Sequence, residues 1–187
     1  QIADRLTSQI NGLNQGNRNA SDGIALAQTA EAGMDEISGM LQKIRTLAVQ
    51  ANNGTNTLED RKALAKEASS LATEISRISK QTTFAGKTIL NGKQDNAFMT
   101  AAQGQEGKTQ TLQLQVGSNK GDTISFDLVN LQFSVAGQAA GIAADQFKDA
   151  AGTAAFLVKN SEVSVNFSTI GAVQNIISYM DQMIGYV

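Results

Sequence analysis

The feature that most constrains this chain is a helical apolar periodicity that runs through its first quarter without a proline. Apolar or small side chains recur there at steps of three or four residues, or at sums of such steps, which is the spacing of one helix face. The positions are Ile2, Leu6, Ile10, Leu13, Ala20, Ile24, Ala27, Met34, Ile37, Leu41, Ile44, Ala48 and Ala51. The turn Asn52-Asn53-Gly54 offers a stop, with a glycine for a left-handed cap. We therefore predict a helix over residues 2–53, roughly 78 Å long at ~1.5 Å per residue.

Glycine is frequent within this predicted helix. The glycines are Gly12, Gly16, Gly23, Gly33 and Gly39. Each lowers helix stability by up to about 1 kcal/mol relative to alanine. We therefore expect the chain around residues 15–23 to bend or unwind.

Two further helices follow from capping and heptad patterns. Thr57 supplies an N-cap oxygen, Asp60 follows three residues later, and an apolar seam with steps of four and three comes next. These signals predict a helix over residues 58–81. A similar seam after Ser168 or Thr169 predicts a last helix over residues 170–187. Because the connection after the first helix is short, the first two helices are expected to pack antiparallel.

Alternating residues predict a β-hairpin over residues 111–129. The apolar positions are Leu112, Leu114 and Val116 before a Gly- and Asn-rich turn, and Ile124, Phe126 and Leu128 after it. The Ala- and Gly-rich stretch 132–160 is expected to be loosely helical or irregular, and residues 163–167 suggest another short strand. The predicted fold class is mainly α with small β: an elongated rod of long antiparallel helices, a coiled-coil-like bundle, plus a β-hairpin region.

The composition excludes much of enzyme chemistry. The 187 residues contain no cysteine and no histidine, which removes disulfides, thiolate metal sites and imidazole catalysis. The net charge of -2 argues against nucleic acid as a partner, and the longest apolar stretch is far too short for a membrane span. Residues 85–88 resemble the end of a phosphate-binding loop, but Gln81 stands where its first glycine is required. We expect no enzyme activity, no catalytic residue, no metal and no cofactor.

The helical patterns reach both ends of the chain without a cap. We expect a piece of a longer protein whose two ends continue together as a coiled coil. On its own, such a piece is expected to be soluble and monomeric.

Several stretches resemble bacterial flagellins, in the same order along the chain. They are residues 18–31, 41–51 (LQKIRTLAVQA), 75–78, 81–86, 114–117 and 168–187. The resemblance implies a flagellin rod domain, made of residues 1–130 and 163–187, that lacks the family's terminal coiled-coil regions. It implies that residues 131–162 are a short variable outer segment and that residues 93–111 extend a loop.

The resemblance also implies a function. Flagellins are structural subunits of the bacterial flagellar filament, which self-assemble by lateral and axial rod packing for motility. They leave the cell through the flagellum's own export channel. The implied partners are other flagellin subunits and flagellar export and capping proteins, and the implied location is outside the cell, in the flagellum.

A host partner is implied as well, because a Toll-like receptor of animals detects the flagellin rod. Carried over by motif, the receptor-binding residues are Lys43, Leu47, Gln50 and Glu67. Lys43 stands where the family usually has arginine, and Lys lacks the planar fork of Arg. We expect Leu47→Ala to weaken receptor signalling or packing between rods more than it weakens folding.

Three alternatives stay open at this point. The first is a hook–filament junction protein, which shares the rod design and occurs in few copies. The second is a metallopeptidase in the variable region, which the absence of histidine disfavours. The third is adhesion through residues 132–160, which no residue pattern supports.

Overall fold

The computed structural model describes residues 1–91, 109–148, 154–159 and 162–187. The helices are α1 (Ile2–Ala51), α2 (Leu58–Gln81), α3 (Phe133–Ala139) and α4 (Ile170–Tyr186). The strands are β1 (Thr83–Phe84), β2 (Lys87–Thr88), β3 (Thr109–Gln115), β4 (Thr123–Val129), β5 (Phe147–Lys148), β6 (Phe156–Lys159) and β7 (Glu162–Val165). The predicted mainly α fold class with small β is therefore confirmed. The predicted loop extension at residues 93–111 lies almost entirely outside the described residues.

The α1–α2 turn reverses the chain within six residues. α1 ends at Ala51, and Asn52 closes it in a right-handed helical conformation. The predicted left-handed glycine cap is wrong, because Gly54 is not among the described glycines with positive φ, which are Gly86, Gly121 and Gly141. α2 begins with a capping box: the Asp60 N–H donates to the Thr57 hydroxyl at 3.1 Å, and the Thr57 N–H donates to the Asp60 carboxylate at 2.9 Å.

One core joins α1, α2 and α4. Its largest fully buried side chains include Ile37, Leu41, Ile44, Ile75, Ile176, Met180 and Met183. The Arg45 guanidinium donates to the Asp181 carboxylate at 2.6 Å and links α1 to α4 at the surface. Both side chains are about half exposed, so this ion pair orients the helices and contributes little stability. Burial of the apolar seams holds the helices together.

The three-stranded sheet has the order β5-β6-β7, with β6 parallel to β5 and antiparallel to β7. The free edge of β7 binds hydroxyl groups of α2. The Val165 N–H donates to Ser69 Oγ at 2.8 Å, and the Val163 N–H donates to Thr73 Oγ1 at 3.0 Å. The Thr73 hydroxyl in turn donates to the Val163 carbonyl at 3.2 Å. Two side chains one helical turn apart thus fix the sheet to α2.

The described part of residues 131–162 contains α3, β5, β6 and the first residue of β7. The expectation of a loosely helical or irregular segment therefore agrees with α3 and is wrong for the strands. Phe133 and Phe156 are fully buried, with ring centroids 4.8 Å apart in an edge-to-face arrangement. Phe156 also lies 5.1 Å from Phe147 and 6.3 Å from Tyr179 of α4, measured between centroids. This aromatic cluster joins the segment to the helical core.

The expected unwinding of α1 near residues 15–23 is wrong, because α1 is one continuous helix. The β3–β4 hairpin packs there, and Gly16 permits the approach. A Cβ on Gly16 would overlap the Val116 carbonyl group at the end of β3. Asn19 Nδ2 donates to the Gln115 carbonyl at 2.6 Å, one helical turn further on. The glycine serves close packing and not flexibility.

Two glycine-to-alanine changes in α1 are expected to act in opposite directions. Gly39→Ala should stabilise the chain by about 0.5–1 kcal/mol, because no atom lies within 4 Å of the added Cβ and alanine favours the helix. Gly16→Ala gains the same propensity but forces the hairpin away, and a net loss of about 1–2 kcal/mol is expected. Urea unfolding followed by circular dichroism measures both. Equal stabilisation by the two changes would show that the hairpin does not rest on Gly16.

Candidate interaction surfaces

The described residues hold neither a cluster of potential metal ligands nor a helix suited to span a membrane. Among them, no group of three or more His, Cys, Asp or Glu side chains lies close enough to hold a metal ion. Within the same ranges, no helix is both long and apolar enough to cross a membrane. The surface of the described part carries grooves and exposed apolar side chains.

An open groove of about 380 Å³ lies between α2 and β7. Its hydroxyl groups include Ser69 and Thr73, which are already bound to the β7 backbone. Its Glu74 carboxylate accepts a hydrogen bond from the Arg77 guanidinium, and this bond lowers the pKa of Glu74 below its ordinary value. A carboxylate held ionised in this way is poorly suited to act as a general acid. The hydroxyl groups of this groove therefore serve to fix the sheet to α2.

An exposed apolar row runs along the first half of α1. The α1 apolar row consists of Ile2, Leu6, Ile10, Leu13 and Ile24, whose exposed fractions are 75%, 54%, 56%, 51% and 59%. The hairpin approaches a different side of the helix, the side of Gly12 and Gly16. Nothing in the described part of the chain covers the α1 apolar row. A row of exposed apolar side chains of this kind is a candidate interaction surface.

The four residues assigned by resemblance lie on α1 and α2 but differ in exposure. Lys43, Gln50 and Glu67 are exposed to solvent. Leu47 is only 9% exposed and belongs to the hydrophobic core. The three polar residues can contact a partner directly. Leu47 instead supports α1, the helix that carries Lys43 and Gln50.

Two exposed apolar side chains beside the α1–α2 turn were not predicted from the sequence. Val49 and Leu58, on either side of the α1–α2 turn, are 47% and 45% exposed. Both residues lie off the predicted seams. An apolar residue at a position that the helical period assigns to solvent is the signal that would have found them.

The comparison with known proteins decides the family. The family described as the bacterial flagellin N-terminal helical region matches residues 1–95, just over half of the chain. The chain belongs to the bacterial flagellin family. The B-type flagellin of Pseudomonas aeruginosa is 44% identical over 137 residues, which are 73% of this chain and 25% of that flagellin. Flagellin 1 of Proteus mirabilis is 42% identical over 127 residues, which are 68% of this chain and 31% of that flagellin.

The match to flagellin structures extends to the fold. The crystal structure of Bacillus cereus flagellin matches with a TM-score of 0.58 and 27% identity, covering 90% of this chain and 75% of that one. The chain spans less than a third of the length of the two flagellin relatives named above. The family match and the structural match together identify the flagellin family and its helical fold.

Proposed function

We propose that this chain forms the rod of a structural subunit of a bacterial flagellar filament, exported from the cell and used for motility. The observation that carries the proposal is the α1 apolar row on a continuous 50-residue helix. Such a row gains stability when a neighbouring helix covers it, at about 25 cal/mol per Å² of buried apolar surface. Repetition of modest lateral and axial contacts along a polymer then supplies the strength of the filament.

The proposed division of the chain follows the same reasoning. Residues 1–130 and 163–187 make the rod, and residues 131–162 make a short outer segment. The partners would be further flagellin subunits and the flagellar export and capping proteins.

A chimera tests the proposal. The chain replaces the matched region of the B-type flagellin in a Pseudomonas aeruginosa strain that lacks its own flagellin. We expect secreted filaments in electron micrographs and swimming in soft agar. Leu6→Asp and Ile10→Asp are expected to shorten or abolish the filaments, because a buried unpaired charge is costly.

Asn11→Asp is the matched control for these variants. It adds the same charge to an exposed position, but at about 3.6 residues per turn it lies on the far side of α1 from the α1 apolar row. This variant should swim like the chimera. Equal swimming by all three variants, or a secreted chimera that forms no filaments, would contradict the proposed packing role.

We also propose that the chain is a ligand of the Toll-like flagellin receptor, which would contact Lys43, Gln50 and Glu67 while Leu47 supports α1 from the core. The exposure of Lys43, Gln50 and Glu67 supports this second role. The alternative of a hook–filament junction protein predicts few copies, so the abundance of the chain in sheared filaments distinguishes the two structural roles.

A further inference from the structure

The α1–α2 turn holds an asparagine followed by glycine, at residues 53 and 54. This pair is chemically reactive when the glycine N–H is free, because glycine has no side chain to shield its backbone nitrogen. Both residues are exposed, and no atom lies within 4 Å of the position where a Cβ on Gly54 would stand. Within the described part of the chain, the Gly54 N–H has no hydrogen-bond partner.

Two hydrogen bonds polarise the side-chain amide of Asn53. Its Oδ1 accepts hydrogen bonds from the Thr55 N–H at 3.1 Å and from the Thr55 hydroxyl at 3.0 Å. Two donors on one carbonyl oxygen stabilise the negative charge that forms there when a nucleophile attacks Cγ. The nucleophile that is one residue away along the chain is the Gly54 nitrogen.

We propose that Asn53 is a site of spontaneous deamidation, which converts it into aspartate and isoaspartate. The Gly54 nitrogen loses its proton to a solvent base and attacks Cγ of Asn53. A bond forms between this nitrogen and Cγ, the bond from Cγ to Nδ2 breaks, and ammonia leaves. Water then adds to the five-membered imide at either carbonyl carbon. Opening at Cγ gives aspartate, and opening at the backbone carbonyl gives isoaspartate; the net change is one water consumed and one ammonia released.

A second Asn-Gly pair in the same chain serves as an internal reference. Asn11 is exposed, like Asn53, but Gly12 lies inside α1. The N–H of a residue inside an α-helix donates to the carbonyl four residues earlier, so it is neither free to ionise nor free to turn toward the side chain. The two pairs share the reactive sequence and differ in their surroundings, so their relative rates report what the turn contributes.

The conversion changes the surface at the end of α1. It places a carboxylate next to the negative end of the helix dipole, which disfavours it. Isoaspartate also lengthens the backbone of the turn that joins α1 to α2. Asn56 Nδ2 of this turn donates a hydrogen bond to the Gln50 carbonyl at 2.6 Å. The modified turn therefore lies beside Gln50, an exposed residue of α1.

Peptide mass spectrometry of the aged chain tests the proposal. The purified 187-residue chain is held at mildly alkaline pH and digested with trypsin at intervals. The peptides 46–61 and 6–18 report on Asn53 and Asn11, and fragmentation assigns the modified residue. We expect Asn53 to gain the mass difference between an amide and an acid, with isoaspartate present, while Asn11 stays intact. In concentrated urea both should convert.

Two variants complete the test. Gly54→Ala fits the open space and should slow the conversion at Asn53 roughly tenfold, the change that a barrier higher by about 1.4 kcal/mol produces. Thr55→Val removes one of the two donors to Oδ1 and should slow it by a smaller factor. The proposal is overturned if Asn53 of the folded chain stays intact over a period in which the urea-unfolded chain converts. It is equally overturned if Gly54→Ala leaves the rate unchanged.

Discussion

Replacing Phe156 with alanine is expected to lower the free energy of unfolding by about 3–5 kcal/mol, the range for truncating a fully buried phenylalanine. Phe156 is 0% exposed and touches three other aromatic rings, at centroid distances of 4.8, 5.1 and 6.3 Å. Its removal leaves a cavity and deletes the edge-to-face contact with Phe133. Urea unfolding measures the loss.

Leu157 provides the matched control for this change. It follows Phe156 on β6, is only half-buried, and projects from the opposite face of the strand. Leu157→Ala should cost about 1 kcal/mol or less. If Phe156→Ala were no more costly than Leu157→Ala, residues 131–162 would be an appendage that the rod does not need.

Leu47→Ala is expected to destabilise the chain by about 2–4 kcal/mol, because Leu47 is 9% exposed and packs in the core between α1 and its neighbours. This reverses the earlier expectation that the change acts mainly on receptor binding or rod packing. Val49→Ala is the control: Val49 is 47% exposed on the same helix, and its truncation should stay within about 0.5 kcal/mol.

A volume-conserving variant separates folding from binding. Leu47→Met should keep most of the stability, since such swaps cost less than about 1.5 kcal/mol. If receptor activation in a reporter cell line follows the melting temperature across the three variants, Leu47 acts through the fold. Loss of activation by Leu47→Met at an unchanged melting temperature would instead show direct contact between Leu47 and the receptor.

Local signals in the sequence were sufficient for the long helices. The capping box of Thr57 and Asp60 and the heptad seam after it mark α2, and both depend only on residues close together in the chain. The α1 apolar row was visible as a spacing. Its exposure was not, because periodicity reports which side chains share a face and not whether a neighbour covers that face.

The error at Gly16 has the opposite origin, since it depends on residues distant in sequence. Gly16 was taken as a weak point of α1 because helix propensity ignores the hairpin about a hundred residues later, whose Val116 carbonyl needs the space. The strands β5 and β6 have two and four residues, too few for an alternating pattern to stand out.

Only part of the candidate site could be predicted from the sequence, for a related reason. The charged and amide groups of Lys43, Gln50 and Glu67 indicate solvent exposure, and the structure agrees. Leu47 stands three residues after Ile44 and four before Ala51, which places it beside the buried seam of α1. That spacing already contained the signal for burial, although the resemblance suggested a contact residue.

The hydroxyl groups of Ser69 and Thr73 bind the edge of β7, and this affects how copies of this chain can associate. An unprotected strand edge invites another chain to add a strand and so to stack without limit. Here any incoming strand would first have to displace three hydrogen bonds from α2. At high concentration the chain is thereby steered away from amyloid-like stacking at this edge, and ordered association is left to the surfaces of its helices.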